Sequence, residues 1–279
     1  MAFQWKNNAP YAVCLTHDVD RTRKRLYHYG YYALRSPGVQ IRSAFGKIRG
    51  TEPYWNFWRL AETEEKWGFH STFLFLNETT WRPDPAFMGR YRIRNPKVQR
   101  AIRELQRNGF EIGLHGSFYS WRSLDLLRGE KEVLENITGR AVVSVRQHYL
   151  NFSERLTWNI HHALGLKYDS TLGYNDRPGE DFPALPYRTP EGMLEMPIMF
   201  MDTAPIKTDE EKRRLYRVCD QRAKRGGLIV LNFHQEHFQP LEYPQNVEVY
   251  ETLLKKAFED KAQVGGMEEI GAWCDGILS

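Results

Sequence analysis

Seven short apolar runs, each separated from the next by a longer mixed stretch, constrain this chain more than any other feature. They are AVCLTHD (12–18), STFLFLN (71–77), FEIGLH (110–115), VVSVR (142–146), LKYDS (166–170), LEMPIMF (194–200) and LIVLNFH (228–234). Their length and their β-branched and aromatic content suit buried strands. Several intervals carry helix ends. PKVQRAIRELQRNG opens on Pro96, sets Val98, Ile102 and Leu105 on one face and stops at Gly109. SERLTWNIHHALG runs from Ser153 to Gly165, and TDEEKRRLYRVCDQRAKRGG pairs Thr208 with Glu211 as a capping box before Gly226–Gly227. Alternation of this kind over the whole length predicts an α/β fold built on a parallel sheet. About seven units with no linker between them favour one distorted (β/α) barrel over 1–279 rather than two domains.

One segment fits neither pattern. Residues 21–53 hold Arg21, Arg23, Lys24, Arg25, Arg35, Arg42, Lys47 and Arg49 among Tyr27, Tyr29, Tyr31 and Tyr32. It reads as an insertion after the first strand, lying over the barrel mouth. Such a run is usually a solvated face. It could also attract an anionic substrate such as an acidic saccharide, a nucleotide-linked sugar or a lipid phosphate. Interleaved Tyr and Arg suit single-stranded nucleic acid as well, but a formal net charge of only +4 argues against a nucleic-acid partner.

Other classes are excluded more simply. The patterns GxGxxG, HExxH and GxSxG are absent, and Gly38 to Gly46-Lys47 has the wrong spacing for a phosphate loop. No stretch approaches the roughly 18–20 apolar residues of a membrane span. Cys14, Cys219 and Cys274 form no CxxC pair, and MAFQWKNNAPYAV lacks the charge and apolar run of a secretory signal. Together these features fit a reducing, cytoplasmic setting.

The chemistry gathers where the runs end. Run one closes on Asp18 and Asp20, run three on His115, run four on Arg146, run five on Asp169 and the last on His234. In a parallel barrel the C-terminal strand ends converge on one face, where active sites sit. A carboxylate with a histidine suits a divalent metal such as zinc. A second carboxylate can serve as general base and a second histidine as general acid. That inventory describes metal-assisted hydrolysis of an acyl bond. Plainer readings stand beside it: Asp18 and Asp20 as turn caps, His115 and Asp169 as buried structural groups, and Arg146 as an ion-pair partner. In His234-Gln235-Glu236-His237 the second histidine is either a metal ligand or a neighbour on the loop.

The order and spacing of these residues resemble the polysaccharide deacetylases of carbohydrate esterase family 4, over roughly residues 11–275. Thr16-His17-Asp18-Val19-Asp20 is similar to the Asp-Val-Asp form of the family's first motif. The resemblance implies Asp18 as general base and Asp20 as metal ligand. His115-Gly116-Ser117-Phe118-Tyr119 matches the second motif at His115, a metal ligand, while Tyr119 stands where a second histidine is expected. Arg146-Gln147-His148-Tyr149 resembles Arg-x-Pro-Tyr, with His148 at the proline position. There Arg146 would hold the base, and the amide after the proline position helps bind the oxyanion. His148, Tyr149 and the Asp169 of Tyr168-Asp169-Ser170-Thr171 are thereby expected to bind substrate. Leu231-Asn232-Phe233-His234 resembles the closing motif, whose histidine is the general acid, although Leu is usual where Asn232 stands.

The resemblance implies a zinc-dependent or similar metal hydrolase that removes an N-acyl group, acetyl or formyl, from an amino sugar in surface-polysaccharide biosynthesis. Its partner is a saccharide or sugar-linked molecule, which the basic insertion allows to be anionic. Tyr119 leaves the metal set short by one. Tyr119 itself, His148 or a substrate group could complete it. If the metal is lost, the alternative is a saccharide-binding protein on the same barrel that does not hydrolyse.

Overall fold

The computed structural model describes residues 3–34, 36–79 and 90–278; Arg35 of the basic segment lies outside them. Eight strands extend the expected runs: β1 (Ala12–Val19), β2 (Thr72–Leu76), β3 (Glu111–Gly116), β4 (Ser144–Gln147), β5 (Tyr168–Asp169), β7 (Leu194–Glu195), β8 (Phe200–Met201) and β9 (Leu228–Asn232). Two short strands were not expected, β6 (Tyr187–Arg188) and β10 (Gln263–Gly265). The run 194–200 is not one strand but two, β7 and β8, with Pro197 between them; proline has no N–H for a sheet ladder.

The strands form one curled sheet in the order β6-β7-β5-β4-β3-β2-β1-β9-β8, and β10 pairs with the start of β1. Every pairing is parallel except β6 with β7. The sheet is therefore an α/β half-barrel, consistent with the distorted barrel expected. The helices are α1 (Leu26–Ala33), α2 (Pro37–Ile48), α3 (Phe57–Glu65), α4 (Pro96–Arg107), α5 (Leu124–Thr138), α6 (Glu154–Ala163), α7 (Asp209–Lys224), α8 (Pro244–Glu259) and α9 (Met267–Leu278). Among the described residues no helix is long and apolar enough to cross a membrane.

β1 lies between β2 and β9, and all eight of its residues are buried. Because side chains alternate across a strand, its residues divide between two environments. Val13 and Leu15 join the large cluster that includes Phe57, Leu60, Ile102 and Leu105 of the flanking helices. Ala12 and Cys14 face the smaller cluster, with Leu74, Val230, and Met267, Ile270 and Cys274 of α9. Continuing that second face up the strand gives Thr16 and then Asp18. The barrel interior is thus apolar at its floor, plugged by α9, and polar at its mouth.

His17, on the other face, is fully buried. Its Nε2 lies 2.6 Å from Glu64 of α3 and its Nδ1 2.8 Å from the carbonyl of Phe233, so this polar side chain ties β1 to α3 and β9. Tyr250 of α8 donates to the same Glu64 oxygen at 2.8 Å.

The fit of α9 into the floor depends on one small residue. A Cβ at Gly271 would lie 2.4 Å from the ring of Tyr168, and that ring is pinned by its hydroxyl, which donates to Asp275 at 2.9 Å. Alanine gains up to about 1 kcal/mol over glycine in helix propensity, but overpacking a core costs about 1–3 kcal/mol. Gly271→Ala should therefore lower the unfolding free energy in urea titrations. Gly129→Ala, in the middle of α5 with nothing within 4 Å of the added carbon, should raise it.

Candidate active site

The strand register brings the residues together. Thr16 and Asp18 of β1 lie against Thr72 and Leu74 of β2, while His115 of β3 is the direct neighbour of Arg146 on β4. Two residues beyond Arg146, on the same face, comes His148. β9 pairs with β1 up to Thr16 opposite Asn232, and His234 follows. Asp18, Asp20, His115, His148, Tyr149 and His234 all line one cavity of about 400 Å³.

Arg146 is fully buried and every polar contact it makes is internal. Its Nη1 donates to Asp18 Oδ1 at 2.8 Å and to Thr16 Oγ1 at 3.0 Å, while Nε and Nη2 reach the carbonyl and hydroxyl of Ser170 at 2.7 and 2.9 Å. Asn232 Nδ2 donates to the other Asp18 oxygen at 2.8 Å. Burial alone would push the Asp18 carboxyl up, but Arg146, His115 and His234 outweigh it and hold the pKa below the ordinary range. The carboxylate is ionised and fixed in orientation.

Beside it stand Asp20, His115 and His148, whose ligand atoms all lie within 4.8 Å of one another. His115 Nδ1 donates to the Arg146 carbonyl at 3.0 Å, which leaves the Nε2 lone pair facing the group. Such a bond to the far nitrogen is how ligating imidazoles are oriented. Asp20 Oδ1 is buried and has no hydrogen bond, although His115 Nε2 and His148 Nδ1 lie 3.3 and 3.4 Å away. An orphaned carboxylate oxygen flanked by two imidazole nitrogens is a donor set that a divalent cation fits. Arg90 bonds the remaining edges, with Nη1 3.0 Å from Asp20 Oδ2 and Nη2 on His148 Nε2. A guanidinium only donates, so His148 carries its proton on Nδ1 here, and holding a metal through Nδ1 would require the Arg90 contact to open.

His234 stands across from the group, its Nε2 4.0 Å from Asp18 Oδ2. Its Nδ1 is 2.6 Å from Asp202 Oδ1. Burial works against the imidazolium, yet Asp202, with smaller help from Asp20 and Asp18, raises its pKa to about 10. His237 Nδ1 lies 3.3 Å from the other Asp202 oxygen, so these three form a second compact group.

The other expected residues separate. Tyr149 and Leu150 are at the cavity with φ of 60° and 54°, a left-handed pair that costs on the order of 1 kcal/mol or more per residue and persists where the surroundings impose it. Asp169 is fully buried and away from the cavity walls. Its carboxylate lies 3.1 Å from His161 Nδ1 and accepts from Thr171 Oγ1 at 2.5 Å, and His161 in turn contacts Gln147. These contacts brace β4 from behind, and Asp169 is not among the residues that line the cavity. Tyr119 packs its ring on Phe118 and under Arg122.

Sequence reasoning missed Arg90, Asn232 as a partner of Asp18, and Asp202. Asp202 was findable, because it follows β8 just as Asp18 and His234 close their own runs. Arg90 belongs to no run or motif.

A family model described as WbmS-like polysaccharide deacetylase matches residues 97–252. No curated protein matches the chain in sequence. Among solved structures, a protein from Mycobacterium smegmatis assigned as a polysaccharide deacetylase aligns with a TM-score of 0.65 at 20% identity, covering 99% of this chain and 94% of its own. Another so assigned, from Pseudomonas aeruginosa PAO1, aligns with a TM-score of 0.62 at 14% identity, covering 96% and 92%. With more than half of its length matched by the family model, and a half-barrel whose strand ends meet in one polar cavity, the chain belongs to the polysaccharide deacetylase family.

Proposed function

We propose that this protein is a metal-assisted amidohydrolase that removes an N-acyl group, acetyl or formyl, from an amino sugar of a surface polysaccharide or its precursor. One observation carries the proposal. A carboxylate locked by Arg146 and Asn232 stands between a histidine held protonated by Asp202 and an Asp–His–His group with an orphaned oxygen. Asp20, His115 and His148 would hold the metal, with His148 in the role left open by Tyr119. When bound, a divalent ion supplies Lewis acidity at the acyl oxygen and acidifies a nearby water.

The protein's own residues account for the proton movements. Asp18, ionised and fixed, accepts a proton from the water as its oxygen bonds to the acyl carbon. His234 Nε2 then gives its proton to the amine nitrogen as the C–N bond breaks and the nitrogen keeps the electron pair. The acid and amine leave, and the proton on Asp18 restores His234. General acid and base steps of this kind each contribute about 10²–10⁴-fold. The left-handed backbone at Tyr149 and Leu150 sets the cavity wall where the oxyanion would be bound.

Acyl release from N-acetylated and N-formylated amino sugars, with added zinc or cobalt, is the direct assay. Asp18→Asn should reduce turnover by about 10²-fold or more, and a variant as active as wild type would remove the base from the scheme. Titration calorimetry separates the two candidates for the third ligand. His148→Ala should weaken metal binding by more than the roughly 10–100-fold typical of outer-shell changes, and Tyr119→Phe should leave it unchanged. The reverse result would return the role to Tyr119.

The pH profile tests the acid. Because the His234 pKa is raised, its protonated form persists from acid pH up to about 10 and is lost above that. Asp202→Asn should move the alkaline limb of the profile down toward the ordinary histidine value of about 6.5. An unmoved limb would mean that His234 is not the proton donor.

A further inference from the structure

Helices α1 and α2 are built inside out. The buried residues of α1 and α2 are His28, Gln40 and Ser43. They surround Lys24, whose fully buried Nζ donates to Gln40 and to Glu242 at 2.6 Å each and lies 4.3 Å from the centre of the Tyr29 ring. Ser43 Oγ donates to the same Glu242 carboxylate at 2.5 Å. This polar hub fastens both helices to the segment just before α8.

The apolar side chains face out. Leu26 is 88% exposed, Leu34 94%, Phe45 60% and Ile48 81%. Ile41, Phe45 and Ile48 stand at i, i+4 and i+7 and so form one stripe along α2. Single exposed leucines are ordinary, but a contiguous apolar patch marks an interaction surface. Six of the ten large exposed hydrophobics among the described residues fall within residues 26–48.

The charge of the same segment selects the partner. Residues 21–51 contain eight Lys and Arg and no Asp or Glu, which leaves the remainder of a +4 chain net negative. Arg25, Arg42 and Arg49 are exposed beside the apolar side chains. Arg21, Lys24 and Lys47 are met by Glu236, Glu242 and Glu52, but a second copy docked through this stripe would set the exposed Arg25, Arg42 and Arg49 of both copies face to face, because a two-fold contact uses the same patch twice. A surface that is apolar beneath and diffusely anionic above meets both requirements, as for basic amphipathic helices at lipid interfaces.

We propose that α1 and α2 seat this stripe in an anionic lipid bilayer surface. The docking does not depend on the deacetylase reading. It gains a consequence from it, since Arg21, which opens the segment, also lines the active-site cavity: an acylated glycan attached to a lipid could enter the cleft while the protein rests on the membrane.

The test is co-sedimentation of the purified chain with phosphatidylcholine vesicles, with and without phosphatidylglycerol, at about 0.1 M salt, where charges act over about 10 Å. Wild type should pellet with the phosphatidylglycerol vesicles, and mostly release at about 1 M salt, where that range falls to about 3 Å. The triple variant Ile41→Ser, Phe45→Ser, Ile48→Ser and the double variant Arg42→Gln, Arg49→Gln should each reduce vesicle binding by on the order of tenfold. All of these side chains are exposed, so thermal unfolding should be unchanged; if the triple variant fails to fold, the arginine pair decides. The proposal is overturned if wild type ignores phosphatidylglycerol vesicles, or if neither variant alters binding. It is overturned equally if the wild type is a dimer in solution that the triple variant dissociates, since the stripe would then be covered by a second copy.

Discussion

The buried ion pair between Arg146 and Asp18 is the contact on which the rest of this molecule depends. A guanidinium removed entirely from water is tolerable only when its donors are matched and its charge is met. Leaving one partner of such a pair alone costs about 3–5 kcal/mol. Arg146 meets that demand by drawing Thr16 and Asp18 from β1 and Ser170 from beyond β5 onto one side chain. Its own carbonyl, meanwhile, accepts from His115 and fixes which nitrogen of that ring faces the cavity. One residue thus sets the orientation of the proposed base and of one proposed metal ligand.

Division of labour along β1 explains why the site can exist in so buried a place. Residues 12 and 14 close the floor with α9, Thr16 bonds Arg146 between them and the mouth, and Asp18 lines the mouth. The apolar floor supplies the stability that the polar mouth does not. Around Asp18 the electrostatics are paired in opposite senses. Arg146 holds one carboxylate below the ordinary range while Asn232 fixes its other oxygen, and Asp202 keeps one imidazole charged across a gap of 4.0 Å. Groups pushed apart in this way are the usual sign of an assigned acid and base.

Much of this was legible in the sequence, because the dominant signals are local. Each of the seven apolar runs contains a strand, and the convergence of their ends follows from parallel topology alone. β6 and β10 escaped because two or three residues make no run, and β10 exists only through its pairing with β1. Which residue completes the Asp20–His115 group stayed open in the sequence, with Tyr119, His148 and a substrate group all candidates. Tyr119 holds the expected place in the chain, but only the register of β3 on β4, with His115 beside Arg146, shows that His148 turns into the group. Asp169 illustrates the converse: a run ending that looked like the others is absorbed by His161 and Thr171, contacts that no motif announces.

Anomalous diffraction from a crystal soaked in zinc or cobalt would test the central arrangement most directly. A single strong peak coordinated by Asp20, His115 and His148, with Asp18 still held by Arg146 beside it, is the expected result. A peak among Asp202, His234 and His237 instead, or none at saturating metal, would contradict it.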